Sequence, residues 1–217
     1  MHEDLVNWFF NENGLDKEGV PPTAAIEHFH IKLFLSDSPV MDMMDDSIRQ
    51  KLPEREKATQ DEKNEIESAQ TCEQVLRLLR RGADIMNQQV LVRRALAFED
   101  EIVPEIIRML KTSKNDLFIE LSTRVLAVCN MDITNDLVAL YDDAHNPYAK
   151  SLILLAAGFK APEKRIPWIV KKFNELKKDY PNDGYCYGAY YALFEMDLRF
   201  YDKGRKFSAS SIAESKQ

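Results

Sequence analysis

Four apolar pairs recur along the chain, each completed by a large apolar side chain three residues further on. They are Val75-Leu76 with Leu79, Ile106-Ile107 with Leu110, Leu137-Val138 with Tyr141, and Ile169-Val170 with Phe173. Their first members lie at 75, 106, 137 and 169, in steps of 31, 31 and 32 residues. The i, i+1, i+4 spacing puts all three side chains along one helical stripe. A second helix is expected after each. One covers 85–98, with Val90, Leu91, Ala95 and Phe98 on one face, and one runs from an Asn115 cap to about Cys129. One opens at Asn146-Pro147, with proline in its favoured first turn, and one opens at Asp183 after a lengthened turn over 177–182. The second helices echo each other, since Arg94-Ala95-Leu96-Ala97-Phe98 corresponds to Arg124-Val125-Leu126-Ala127-Val128 at an offset of 30. Pro104 and Pro167 each precede an apolar pair by two residues, near the expected start of a first helix.

A helical pair of this length cannot bury its own apolar face, so neighbours must stack. The pattern therefore predicts an all-α fold, a right-handed α-solenoid of antiparallel helix pairs with a period of about 31 residues over 71–198. Seven glycines and nine prolines in 217 residues also argue against a sheet-rich chain with many tight turns.

Residues 1–70 read as an acidic helical cap and charged connector, as terminal repeats are atypical. Leu5, Trp8 and Phe9 mark a short helix ended by Asn13-Gly14. Pro21-Pro22-Thr23 starts another, with Ile26, Phe29, Ile31, Leu33 and Phe34, and Ser38-Pro39 opens a third through Met41, Met44, Ile48 and Leu52. Residues 53–70 are nearly all polar and read as a solvated helix or a partly ordered connector; their good helix formers and lack of glycine favour the helix. Residues 199–217 read as a C-terminal tail that ends small and polar.

Charge limits the partners. With 29 Lys/Arg against 36 Asp/Glu the chain carries −7, which suits general polyanion binding poorly. Residues 1–70 hold 16 acids and 7 bases, a net of −9, so residues 71–217 carry +2. The longest apolar run, 152–159, is far short of the roughly 20 residues of a membrane span. Met1-His2-Glu3-Asp4 is acidic where a signal peptide is basic. Cys72, Cys129 and Cys186 are far apart, with no CxxC, and read as buried thiols of a reducing compartment. The expectation is a cytoplasmic protein without a membrane partner.

The repeated pairs resemble HEAT and armadillo-like repeats in their short bacterial form, over about residues 71–197. The 31-residue spacing is shorter than the roughly 40 residues of most HEAT units. The resemblance implies a curved binding surface lined by second helices, used as a scaffold.

No motif in the chain points to catalysis, a cofactor or a metal, as GxSxG, HExxH, Walker A and GxGxxG are all missing. His28 and His30 point about 200° apart on a helix and cannot share a metal as an i,i+4 pair does. The acid run Asp42, Asp45, Asp46 lacks the central glycine and closing glutamate of a calcium loop. Basic residues recur on the second helices, Arg93, Arg94, Arg124 and Lys150, with Arg80 and Arg81 just before. They read either as a basic ladder for acidic groups of a partner or as ordinary solvated residues. Six of the eight tyrosines lie between 180 and 201, where Tyr187 and Tyr191 are candidate contacts and core packing is the alternative. The function expected is a non-enzymatic protein or peptide interaction module, with self-association compatible. The alternative is nucleic-acid binding, because some short bacterial HEAT-like proteins act as DNA glycosylases; Trp168, in a first helix, sits away from the expected groove.

Overall fold

The computed structural model describes residues 4–6 and 52–201, and every regular element among them is helical. Residues 4–6 are helical, and nine helices follow one another over 52–201: α1 (Leu52–Ser68), α2 (Cys72–Arg81), α3 (Gln88–Leu96), α4 (Glu99–Leu110), α5 (Asp116–Val128), α6 (Thr134–Asp143), α7 (Pro147–Lys160), α8 (Ile166–Asp179) and α9 (Tyr187–Phe200). Short 3-10 turns, Glu163–Arg165 and Gly184–Cys186, precede α8 and α9. The all-α class is thus observed. The helices expected between Trp8 and Ile48, the His28/His30 pair, the acid run at Asp42 and the tail from 202 lie outside the described residues.

The apolar stripe faces the core. Val75, Ile106, Leu137 and Ile169 are each 0% exposed, and Leu79, Leu110, Tyr141 and Phe173 are buried with them. Helices α2, α4, α6 and α8 carry these residues and alternate with α3, α5, α7 and α9. α3 packs on α5, α5 on α7 and α7 on α9, while α2 meets α4 and α4 meets α6. Between α6 and α8 the Tyr141 and Trp168 rings meet edge to face at 5.7 Å, beside a Lys172–Asp142 ion pair of 3.5 Å. α7 is the most enclosed helix, with residues 151–158 all buried, as a helix apolar all round must be.

Asparagines join successive pairs of helices through both ends of their amides. Asn115 Oδ1 accepts from Phe118 N at 3.1 Å to cap α5, while its Nδ2 donates to the Arg80 carbonyl at 2.7 Å. Asn146 repeats this, accepting from Tyr148 N to cap α7 and donating to the Ser113 carbonyl at 3.4 Å. Asn87, ahead of α3 and 2% exposed, donates to the Thr59 carbonyl and to Glu62 of α1. Removing such a cap costs about 0.5–2 kcal/mol. Asn115→Ala is expected near the upper end of that range, because a bond between helix pairs goes with the cap; the urea midpoint measures it.

Several boundaries differ from the sequence reading. The helix expected over 85–98 is Gln88–Leu96, because Asp84 Oδ1 accepts from Met86 N and holds a turn there. Phe98 then precedes α4, whose first turn gathers Glu99, Asp100 and Glu101 where the helix dipole favours acids. Pro104 consequently lies inside α4, on its exposed side, instead of near its start. α8 runs on to Asp179, so the lengthened turn is shorter than expected, and Asp183 precedes a 3-10 turn instead of opening α9. Only Cys129 of the three thiols is buried; Cys72 and Cys186 are half-buried.

Residues 53–70, read as a solvated helix or a connector, are helical through Ser68. Most of the face is exposed, yet Ile66 is 0% exposed. Arg81 reaches both Glu65 oxygens at 2.8 Å, and Glu62 accepts from Asp84 N and Asn87. α2 itself starts with a capping box, Thr71 Oγ1 accepting from Gln74 N while Gln74 accepts from Thr71 N, and ends at Gly82 with φ +84°, a conformation that favours glycine.

Candidate interaction face

Five large apolar side chains are exposed among the described residues: Ile85 (43%), Met86 (56%), Leu117 (47%), Val128 (43%) and Tyr187 (44%). All five lie on α5 and α9 or in the turn that leads into α3. On α2, α4, α6 and α8 the large apolar residues are buried or half-buried instead. Between α3 and α5 a shallow depression is floored by Val92, Leu96 and Val128 and rimmed by Gln88, Gln89 and Arg93.

The basic ladder is broken within this face. Arg93 is exposed on α3. Arg94, half-buried, turns inward; its Nε donates to the Ala69 carbonyl at 2.8 Å, its Nη2 bonds the same oxygen, and its guanidinium lies 5.1 Å from the Phe98 ring centre. Arg124 is only 4% exposed and donates to Gln88 Oε1 at 2.5 Å. Burial pulls the Arg124 guanidinium below its ordinary value, opposed by the nearby Glu120 carboxylate. Glu120 in turn accepts from Tyr148 Oη at 2.6 Å. Gln88, Arg124, Glu120 and Tyr148 thus tie α3, α5 and α7 together, and two expected ladder residues serve internal bonds. Lys150 is half-buried, its Nζ 5.0 Å from the Tyr141 ring centre. Arg81 pairs with Glu65, and the Arg80 carbonyl receives Asn115.

The tyrosines divide as well. Tyr187 is exposed, whereas Tyr191 is half-buried and meets Tyr190 edge to face at 4.9 Å. Burial pushes the Tyr191 phenol up to about 12. Tyr187, Tyr191 and Glu195 follow one another at i, i+4 and i+8 along α9, and burial pushes the Glu195 carboxyl up despite Arg199 beside it.

Burial is the largest cause raising Cys72, Cys129 and Cys186, opposite to what a thiolate nucleophile requires. Among the described residues no three His, Cys, Asp or Glu side chains converge on a metal-sized point. No helix among them is long and apolar enough to cross a membrane. Set beside protein-family models, curated proteins and solved structures, the chain returns no match.

The sequence reading missed the Gln88–Arg124 and Arg94–Ala69 bonds, which join residues 36 and 25 positions apart. The exposure of Leu117 and Val128, near the two ends of α5, was not read from the sequence either.

Proposed function

We propose that the chain is a non-enzymatic interaction module, an α-solenoid of the HEAT and armadillo kind that binds a protein or peptide on the face formed by α3, α5, α7 and α9. The observation that carries this reading is the gathering of all five exposed large apolar side chains on that row and the turn leading into it. Apolar side chains left in water together on one face are the mark of an interaction surface. The solenoid reading is supported by the two rows of alternating helices and by the asparagines that join one pair to the next. With Arg94 and Arg124 turned inward, Arg93 is the exposed cation left on α3 for an acidic group of the partner.

The test is affinity capture from lysate, with and without nuclease, using the native sequence, the Arg93→Glu/Tyr187→Ser variant and an Arg108→Glu control on α4. The expected result is a discrete protein that survives nuclease, is kept by Arg108→Glu and is lost by the double variant. Captured nucleic acid, with the proteins lost on digestion, would overturn the reading in favour of nucleic-acid recognition.

A further inference from the structure

A cleft of about 510 Å³ opens between the loop 130–135 ahead of α6 and the turn 161–165 ahead of α8, with the end of α9 along one side. Its cations are Lys160, Lys164, Arg165 and Arg199, and its one carboxylate is Asp132, so 4 − 1 leaves a local excess of three positive charges in a chain of net −7. Three of these cations are held by neutral acceptors. Lys160 Nζ donates to the Cys129 carbonyl at 2.6 Å and Arg165 Nη2 to Asn135 Oδ1 at 2.8 Å. Arg199 Nη1 donates to the carbonyls of Gly158, at 2.5 Å, and Ala161, at 3.3 Å. Lys164 is exposed, and none of the four forms an ion pair among the described residues.

This differs from Arg81, Arg108 and Lys111, each paired with a carboxylate at 2.7–2.8 Å. In the cleft the cationic heads are positioned by neutral acceptors, while Asp132 and Glu195 act on them without forming a close ion pair, which lowers the cost of receiving an anion. Guanidinium forks suit the oxygens of phosphate and carboxylate alike. An excess of three charges favours a dianion, because a carboxylate would leave two of them uncompensated. The volume also exceeds that of one phosphate and falls among small-ligand sites, roughly 300–1,000 Å³.

We infer that this cleft binds the phosphate group of a small phosphorylated ligand, contacted by Lys164 and Arg165 within a wall made electropositive by Lys160 and Arg199. It lies along the connecting turns, apart from the apolar face proposed for a protein partner, and does not depend on that reading.

The experiment titrates the full chain with sodium pyrophosphate, sodium phosphate, sodium acetate and sodium chloride at matched ionic strength, followed by amide NMR shifts. Saturable shifts at 130–135 and 161–165 are expected with the two phosphate probes. Loss of one charge-assisted contact corresponds to about a tenfold weaker Kd, so Lys164→Gln/Arg165→Gln, which removes two, is expected to weaken it roughly a hundredfold. Lys164→Gln alone, at an exposed side chain, weakens binding in the same direction without touching the Arg165–Asn135 bond. Arg108→Gln, on α4, is expected to leave the Kd unchanged. The inference is overturned by absence of saturation, by equal shifts with chloride or acetate, or by equal weakening in Arg108→Gln.

Discussion

Replacing Gly188 by alanine should cost on the order of 3 kcal/mol, as overpacking of a close contact does, and so lower Tm by about 6–12 °C in a chain of this length. A Cβ built at Gly188 would stand 1.9 Å from the Ser151 carbonyl oxygen and 2.6 Å from Ser151 Oγ, far inside any normal contact. Neither neighbour gives way easily, as the carbonyl belongs to the buried backbone of α7 and Ser151 is 1% exposed. The Gly188 N–H also donates to Ser151 Oγ at 3.2 Å, a bond that separation of α7 and α9 would break. Further along the same interface a Cβ at Gly158 would meet the Ala192 backbone at 2.5 Å, a second close approach of α7 and α9. Thermal unfolding followed by circular dichroism measures the effect. A Tm within about 1 °C of the native sequence, less than the shift of one kcal/mol, would mean that α7 and α9 are not in backbone contact.

The second large effect is expected in α1. Ile66→Ala removes a side chain that is 0% exposed, and such truncations cost about 2–5 kcal/mol. Arg81→Gln breaks the ion pair between α2 and α1, but its partners are 47% and 45% exposed, and such pairs are worth about 0–1 kcal/mol. The apolar contact therefore outweighs the ion pair in holding α1 to the bundle. Urea unfolding of the two variants should show a midpoint shift in Ile66→Ala several times that in Arg81→Gln. The reverse order would identify α1 as a connector attached by charge.

The helical class was legible because a buried helical stripe leaves apolar residues at helical spacing in the sequence. Val75, Ile106, Leu137 and Ile169 were picked out by spacing alone, and all four are fully buried. Asn115 and Asn146 were legible as caps, since their Oδ1 atoms bond residues three and two positions ahead. Their Nδ2 bonds reach 35 and 33 residues back and left no local signal. The same reason explains Arg94 and Arg124: a repeated arginine on a second helix looks alike whether it meets a partner or a carbonyl of its own chain. Helix ends were legible to within a few residues, and the Asp84 turn shows why, since one side-chain hydrogen bond moves the start of α3 from 85 to 88. The Thr71-x-x-Gln74 capping box was present in the sequence as a start signal for α2. The cleft at Lys160–Arg199 joins residues from three parts of the chain, so no single run of basic residues announces it.

A protein partner is proposed to bind the face formed by α3, α5, α7 and α9. Hydrogen–deuterium exchange of the chain with and without its captured protein partner tests it most directly. Added protection is expected over 85–93, 117–128 and 187–191, with α4, α6 and α8 unchanged. Protection confined to α4, α6 and α8 would contradict it and put the partner on the opposite row of helices.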